Sequence, residues 1–171
     1  MRIFLFWTLL IIVFVTPDSS SQTNELSPLK LGDLFKKTDQ IFSRHPDSAI
    51  AMVNSAYHFA IRNKDLIAQV RCLNTLAYYN FYANFGDKGE RDAIKAVQTS
   101  RHLGLDSLIG DAYVTLGSIL SGGFRFKEAI EEYQLAQQYY PAKKMPARMA
   151  LVFFDLGRCY REMGVIPACI D

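Results

Sequence analysis

The side chains with chemical reach in this 171-residue chain are three histidines, three cysteines and a short run of carboxylates. A metal site needs several such groups on one helical face or across a tight turn, as in His-x3-His or Cys-x2-Cys, and neither spacing occurs. His45, His58 and His102 fall in or beside different predicted helices, and each lacks a second ligand at metal-binding distance along the chain. The glycine-rich phosphate cradles Gly-x-Gly-x-x-Gly and Gly-x4-Gly-Lys are absent, as is the Gly-x-Ser-x-Gly turn that exposes a nucleophilic serine. Glu128, Glu131 and Glu132 could form an acid-base pair only if one of them were buried, and their spacing reads instead as the solvated side of a helix. No catalytic residue, metal or cofactor is indicated. The chain reads as a non-enzyme.

Charge excludes a second class of function. A formal net charge of +2, with no concentrated basic stripe, does not suit tracking of nucleic-acid phosphates. Lys36-Lys37 and Lys143-Lys144 read as solvated helix ends.

The start of the chain predicts export. Met1-Arg2 is followed by an apolar run from Ile3 to Val15, 13 positions broken only by Thr8, and then by polar, small residues through Ser21. That layout is a signal peptide over residues 1–21, cut near Ser21-Gln22. A run of this length falls short of the roughly 20 residues that span a bilayer, so an uncleaved anchor is the alternative. Residues 22–31 form a polar linker containing Pro28, and order is expected from Gly32, giving a helical domain over residues 32–171.

Within that domain, apolar residues recur at helical intervals. Leu34, Phe35, Thr38, Ile41 and Phe42 predict a first amphipathic helix, and Pro46-Asp47 opens a second, with proline where no N–H is missed and a carboxylate at the positive end of the helix dipole. Asp65 is placed as the N-cap of a third helix running to about Ala83. The clearest pattern lies between Asp111 and Pro141: Tyr113, Leu116, Gly117 and Leu120, then Ala129, Tyr133, Ala136 and Pro141. Gly117 and Ala129 sit where two helices would cross, and Tyr133 fills the gap one turn on. Leu73, Leu76 and Ala77 repeat the first half of this pattern 40 positions earlier, and Phe153, Leu156, Gly157 and Tyr160 repeat it 40 positions later. Pairing Ala77 with Ala93 across a long turn, Asn84 to Gly89, implies a four-residue insertion in that hairpin. The pair Gly122-Gly123 is expected to supply positive φ angles between the helices.

These spacings resemble the tetratricopeptide repeat (TPR), a helix-turn-helix unit of roughly 34 residues. The resemblance covers about Asp47 to Tyr160 and implies an all-α, right-handed solenoid of about four hairpins, whose first helices line a concave, partner-binding groove. Carried across by register from Gly117, the groove positions are Asp111, Val114, Ser118 and Ser121; from Ala77 they are Arg71, Asn74, Tyr78 and Phe81; from Gly157 they are Phe154, Arg158 and Arg161. Arginines at both ends with aromatics between them would suit an extended acidic-aromatic peptide. Some of the dense aromatics Tyr78, Tyr79, Phe81, Tyr82 and Phe85 must instead be core. The same register puts Cys72 and Cys159 two repeats apart, too far for a disulfide and best read as small core or groove-edge residues, while Cys169 would be an exposed thiol.

The last unit has a first helix and only the beginning of a second, so Phe153, Leu156 and Tyr160 would lack cover. Two expectations follow: a fragment or truncated product of a longer protein, or a chain whose end is completed by a partner, against a self-contained protein with a frayed end. A signal segment ahead of TPR hairpins resembles the extracytoplasmic sensing part of bacterial membrane-bound regulators. The expected function is therefore an exported protein- or peptide-binding scaffold, periplasmic or membrane-anchored and facing the periplasm, that serves signal transduction. The alternative is a free periplasmic scaffold for envelope assembly or secretion.

Overall fold

A computed structural model describes residues 28–140 and 145–165, which form seven helices and no strand: α1 Pro28–Phe42, α2 Pro46–Arg62, α3 Leu66–Tyr82, α4 Gly86–Arg101, α5 Asp106–Gly122, α6 Phe126–Tyr139 and α7 Pro146–Glu162. The expected signal segment, most of the expected linker, Pro141, Lys143-Lys144 and Cys169 lie outside the described residues. Helix α1 starts at Pro28, four positions ahead of the expected onset of order at Gly32, because Leu31 is only 2% exposed and joins the core.

Local signals explain where the helices begin and end. Pro46 and Pro146 occupy first helical positions, and the Asp65 carboxylate accepts the N–H of Ala68 at 2.9 Å at the start of α3. Four helix ends close in one way. The N–H groups of Asp65, Phe85, Arg125 and Val165 each reach back five residues, to the carbonyls of Ala60, Asn80, Leu120 and Tyr160, at 2.8 to 2.9 Å. Each closure requires a left-handed residue just before the donor, and these are Lys64, Asn84, Phe124 and Gly164, with φ between 55° and 70°. Gly122 and Gly123 do not supply the positive φ, contrary to expectation: Gly122 is the last residue of α5 and Gly123 has φ −86°. The strained position falls on Phe124 instead, at a cost of roughly 1–2 kcal/mol for a residue with a Cβ.

A 40-residue period runs through α2 to α7. The odd helices α3, α5 and α7 start 40 positions apart at Leu66, Asp106 and Pro146, and the even helices α2, α4 and α6 at Pro46, Gly86 and Phe126. The turn inside each of the α3–α4 and α5–α6 hairpins is three residues long, so the expected insertion is absent. The small residue that meets Ala77 is Gly89, not Ala93. A Cβ on Gly89 would lie 2.7 Å from the Ala77 carbonyl oxygen and 2.9 Å from the Phe81 nitrogen, a backbone approach closer than any side chain permits. Ala77 to Gly89 thus repeats the 12-residue interval from Gly117 to Ala129.

Each helix packs on its neighbour in sequence. The odd helices also touch one another, α1 with α3, α3 with α5 and α5 with α7, whereas the described even helices do not. A stack in which only one set of helices meets is curved toward that set, so the odd helices form the inner side. The core follows the expected stripes: Leu73, Leu76, Tyr113, Leu116, Leu120 and a fully buried Tyr133 are all inside. Helix α7 departs from this. Leu156 is buried, but Phe153 is 57% exposed where its counterpart Tyr113 is 6% exposed, and nothing lies within 4 Å of a Cβ built on Gly157. At Gly117 the same atom would meet the Tyr133 ring at 2.8 Å.

That contrast sets the first prediction. Gly117→Leu should lower stability by about 1–3 kcal/mol through overpacking, while Gly157→Ala should raise it by about 0.5–1 kcal/mol through helix propensity alone. Chemical denaturation of both variants checks this; equal effects would mean that the two glycines do not occupy equivalent helix positions with different cover.

Candidate functional site

Two clefts open on the odd-helix side. The first, about 420 Å³, is walled by α3, α5 and α7 and reaches the α5–α6 turn. Two register rows build it. Tyr78, Ser118 and Arg158 each follow the helix-crossing position by one residue, and Tyr82, Gly122 and Glu162 follow it by five. Val114, Ser121, Asp155 and the half-buried Phe126 also line it, and Tyr82, Leu151 and Phe124 are its exposed apolar members. Ser118 shares a hydrogen bond with the Tyr133 hydroxyl at 3.2 Å, and burial, before any partner, raises the Tyr78 phenol above its usual range. Asp155 is buried and forms an ion pair with Arg158 at 3.2 Å, yet burial outweighs the guanidinium and pushes its carboxyl above the ordinary carboxylate range.

The second cleft, about 460 Å³, lies at the other end of the same helices, between α1, α3, α5 and the start of α7. Arg71, Asn74, Thr75, Ser107, Asp111 and Arg148 supply its polar lining. The amide oxygen of Asn74 is buried with no hydrogen-bond partner, which costs folding energy unless something outside the described residues satisfies it. Asp111 is already occupied. It pairs with Arg148 and accepts the Tyr140 hydroxyl at 2.6 Å, while Arg148 also donates to the Ser107 carbonyl at 3.2 Å. Burial first, and the Asp111 hydrogen bond second, raise the Tyr140 phenol far above its usual range.

The register positions therefore divide. Tyr78, Val114, Ser118, Ser121 and Arg158 meet at the first cleft, and Arg71, Asn74 and Asp111 at the second. Phe81 is in neither lining. Its ring fills the space over Gly122, its backbone meets Gly89, and it stands edge-on to Tyr82 at 5.4 Å. Phe154 and Arg161 also line neither cleft; both are exposed, and Arg161 pairs with its neighbour Glu162 at 3.2 Å. Of the two arginines carried over from Gly157, Arg158 lines the first cleft and is paired there with Asp155, and Arg161 lines neither.

Sequence reasoning missed Asp155, Glu162, Tyr82, Phe124 and Arg148. Counting five residues beyond each crossing residue would have found Tyr82 and Glu162; nothing in the pattern marks the others. His45, His58 and His102 are exposed at separate places, while Cys72 and Cys159 are buried free thiols, with burial pushing Cys72 up to about 12. The carboxylate run splits: Glu128 is exposed and held by Arg125 at 2.5 Å, and Glu131 is exposed, while Glu132 is half-buried and its carboxyl raised by that burial. No helix among the described residues is long and apolar enough to cross a membrane. Comparison with protein-family models, with curated proteins and with solved structures finds no match.

The clasp at Asp111 separates structural from available groove residues. Tyr140→Phe should cost about 0.5–1.5 kcal/mol, the net worth of one hydrogen bond. Arg71→Ala, at the exposed rim, should stay within about 0.5 kcal/mol of wild type. Urea unfolding of the two variants decides; a loss at Arg71 matching that at Tyr140 would place Arg71 in the fold rather than at the surface of the cleft.

Proposed function

We propose that this chain is a non-catalytic, TPR-like right-handed solenoid that binds a protein segment in extended form along the inner side of its odd helices. The observation that carries the reading is the unpartnered amide oxygen of Asn74 in a cleft wall, on the same face as the row Tyr78, Ser118 and Arg158. A folded domain gains nothing from a buried acceptor left unpaired, whereas rotation of the Asn74 carboxamide toward the cleft would let that oxygen accept a main-chain N–H of a segment laid across α3. The two clefts share helices α3, α5 and α7, so one extended segment could engage both in turn. An acidic residue of that segment would find Arg71 at the second cleft; the first cleft offers no matching excess of positive charge.

The apolar start of the sequence supports export, and the wider role we propose is the ligand-sensing part of a membrane-bound regulator, with a free periplasmic scaffold as the alternative. Selection of peptides from a random display library on the purified protein tests the binding reading. Enriched peptides should lose about tenfold or more in affinity on Asn74→Leu, with the thermal midpoint kept or raised because an unpaired polar group has gone. Peptides that bind the Asn74→Leu variant as tightly as wild type would remove the groove from the account. Export is checked separately by fusing residues 1–31 to a reporter enzyme active only outside the cytoplasm; an inactive reporter would contradict it.

A further inference from the structure

Helix α7 leaves open the face that α5 buries. On α5, Tyr113 and Val114 are 6% and 8% exposed, and two small residues lie under rings from the antiparallel neighbour: Tyr133 covers Gly117 and Tyr140 covers Gly110. The counterparts on α7, 40 positions on, are Ala150, Phe153, Phe154 and Gly157. All four are exposed, Phe153 by 57% and Phe154 by 69%, and among the described residues nothing lies within 4 Å of a Cβ built on Gly157. A contiguous apolar face of this kind marks an interaction site.

The spacing of small residues and rings identifies the cover. In the α5–α6 hairpin, small residues seven positions apart on one helix meet rings seven positions apart on the other, Gly110 and Gly117 against Tyr140 and Tyr133. Helix α7 carries both sets itself: Ala150 and Gly157 are seven apart, and so are Phe153 and the half-buried Tyr160. The six residues that follow Val165, Ile-Pro-Ala-Cys-Ile-Asp, hold no ring.

We propose that α7 packs antiparallel against α7 of a second copy of this chain, about a two-fold axis level with Asp155. Each Phe153 ring then sits over the partner's Gly157, and each Tyr160 faces the partner's Ala150. A two-fold contact requires one patch to fit itself, and a ring four positions before a small residue on the same stripe meets that requirement. Arg161 lies in line with Ala150 and Gly157 and is paired with Glu162 at 3.2 Å. Its two copies come roughly 18 Å apart along the axis at 1.5 Å per residue, beyond the screening length of about 8 Å, so they do not oppose the contact. Leu151, Asp155 and Arg158, which line the first cleft, lie beyond Phe154 round the helix, so the pairing leaves that cleft open and does not rest on the groove reading. A seam of two 17-residue helices is small beside the roughly 1,200–2,000 Å² of a stable interface, which sets the expected Kd on the order of 10–100 μM.

Sedimentation equilibrium of the full chain, over concentrations spanning that Kd, should show a monomer–dimer equilibrium. Phe153→Glu and Gly157→Lys should each weaken the dimer about tenfold or more. Neither should lower the thermal midpoint of the dilute protein, because both positions are open in the monomer. An equimolar mixture of the two variants should associate again to within about threefold of wild type, since one seat of the mixed pair is native and the other sets the introduced carboxylate against the introduced ammonium. A chain that stays monomeric throughout would overturn the proposal. So would a dimer indifferent to both substitutions, as association through the apolar run Ile3 to Val15 would be, or a mixture that does not recover.

Discussion

The distance between the helices of the α3–α4 and α5–α6 hairpins is set by a small residue that lets backbone meet backbone or ring. Gly89 lies so close to the Ala77 carbonyl that a single added carbon would collide with it, and Gly117 leaves the space that the buried ring of Tyr133 occupies. Much else depends on this approach. It buries the stripes of α3 and α5, holds the three-residue turns between the paired helices, and fixes which side of each odd helix is left for the inner surface. Burial of large side chains such as Leu73, Leu116 and Tyr133 contributes on the order of 1.5–3 kcal/mol each. That gain is available only where the second helix can come close enough to exclude water.

The groove inherits its order from the same register. Because α3, α5 and α7 keep one phase over 40-residue steps, residues one and five places after each crossing line up across three helices and converge on one cleft. The side chains there need not be alike, and they are not. Tyrosine gives way to serine and then arginine along one row, and tyrosine to glycine and then glutamate along the other. The scaffold thus turns a repeated backbone into a surface with a chemical gradient: an aromatic, carboxylate-bearing cleft at one end of the helices, and a cleft with Arg71, Arg148 and an unsatisfied Asn74 at the other.

What could be read from the sequence was what depends on spacing. The helical class, the 40-residue period, the Asp65 cap, the proline starts and the roles of Gly117 and Tyr133 all follow from residue type at fixed intervals. The errors came where one residue type serves two purposes. Gly86-Asp87-Lys88-Gly89 looks like a turn because glycine breaks helices, yet Gly89 belongs to α4 and is small for packing; the neighbouring Ala93 could then pass for the crossing residue. Gly122-Gly123 looks like the left-handed pair, but Gly122 is small to admit the Phe81 ring and the strained backbone lies one residue further on. Asp155 is hidden among Phe153, Phe154 and Leu156, and its burial depends on packing between helices rather than on local pattern. The Arg148–Asp111 pair joins residues 37 positions apart, a contact that no periodicity marks.

Helix α7 offers the internal control for this account. It carries the same stripe as α5, but no described helix covers its outer side, and Phe153 and Gly157 stand open. Amide hydrogen exchange on dilute, monomeric protein reads the consequence residue by residue. If closure by a second helix is what stabilises each first helix, Leu116 and Leu120 should exchange only with global unfolding, and Leu156 and Tyr160 should exchange markedly faster through local opening of α7. Equal protection at the two pairs would contradict the claim that hairpin closure at the small-residue crossing holds the stack together.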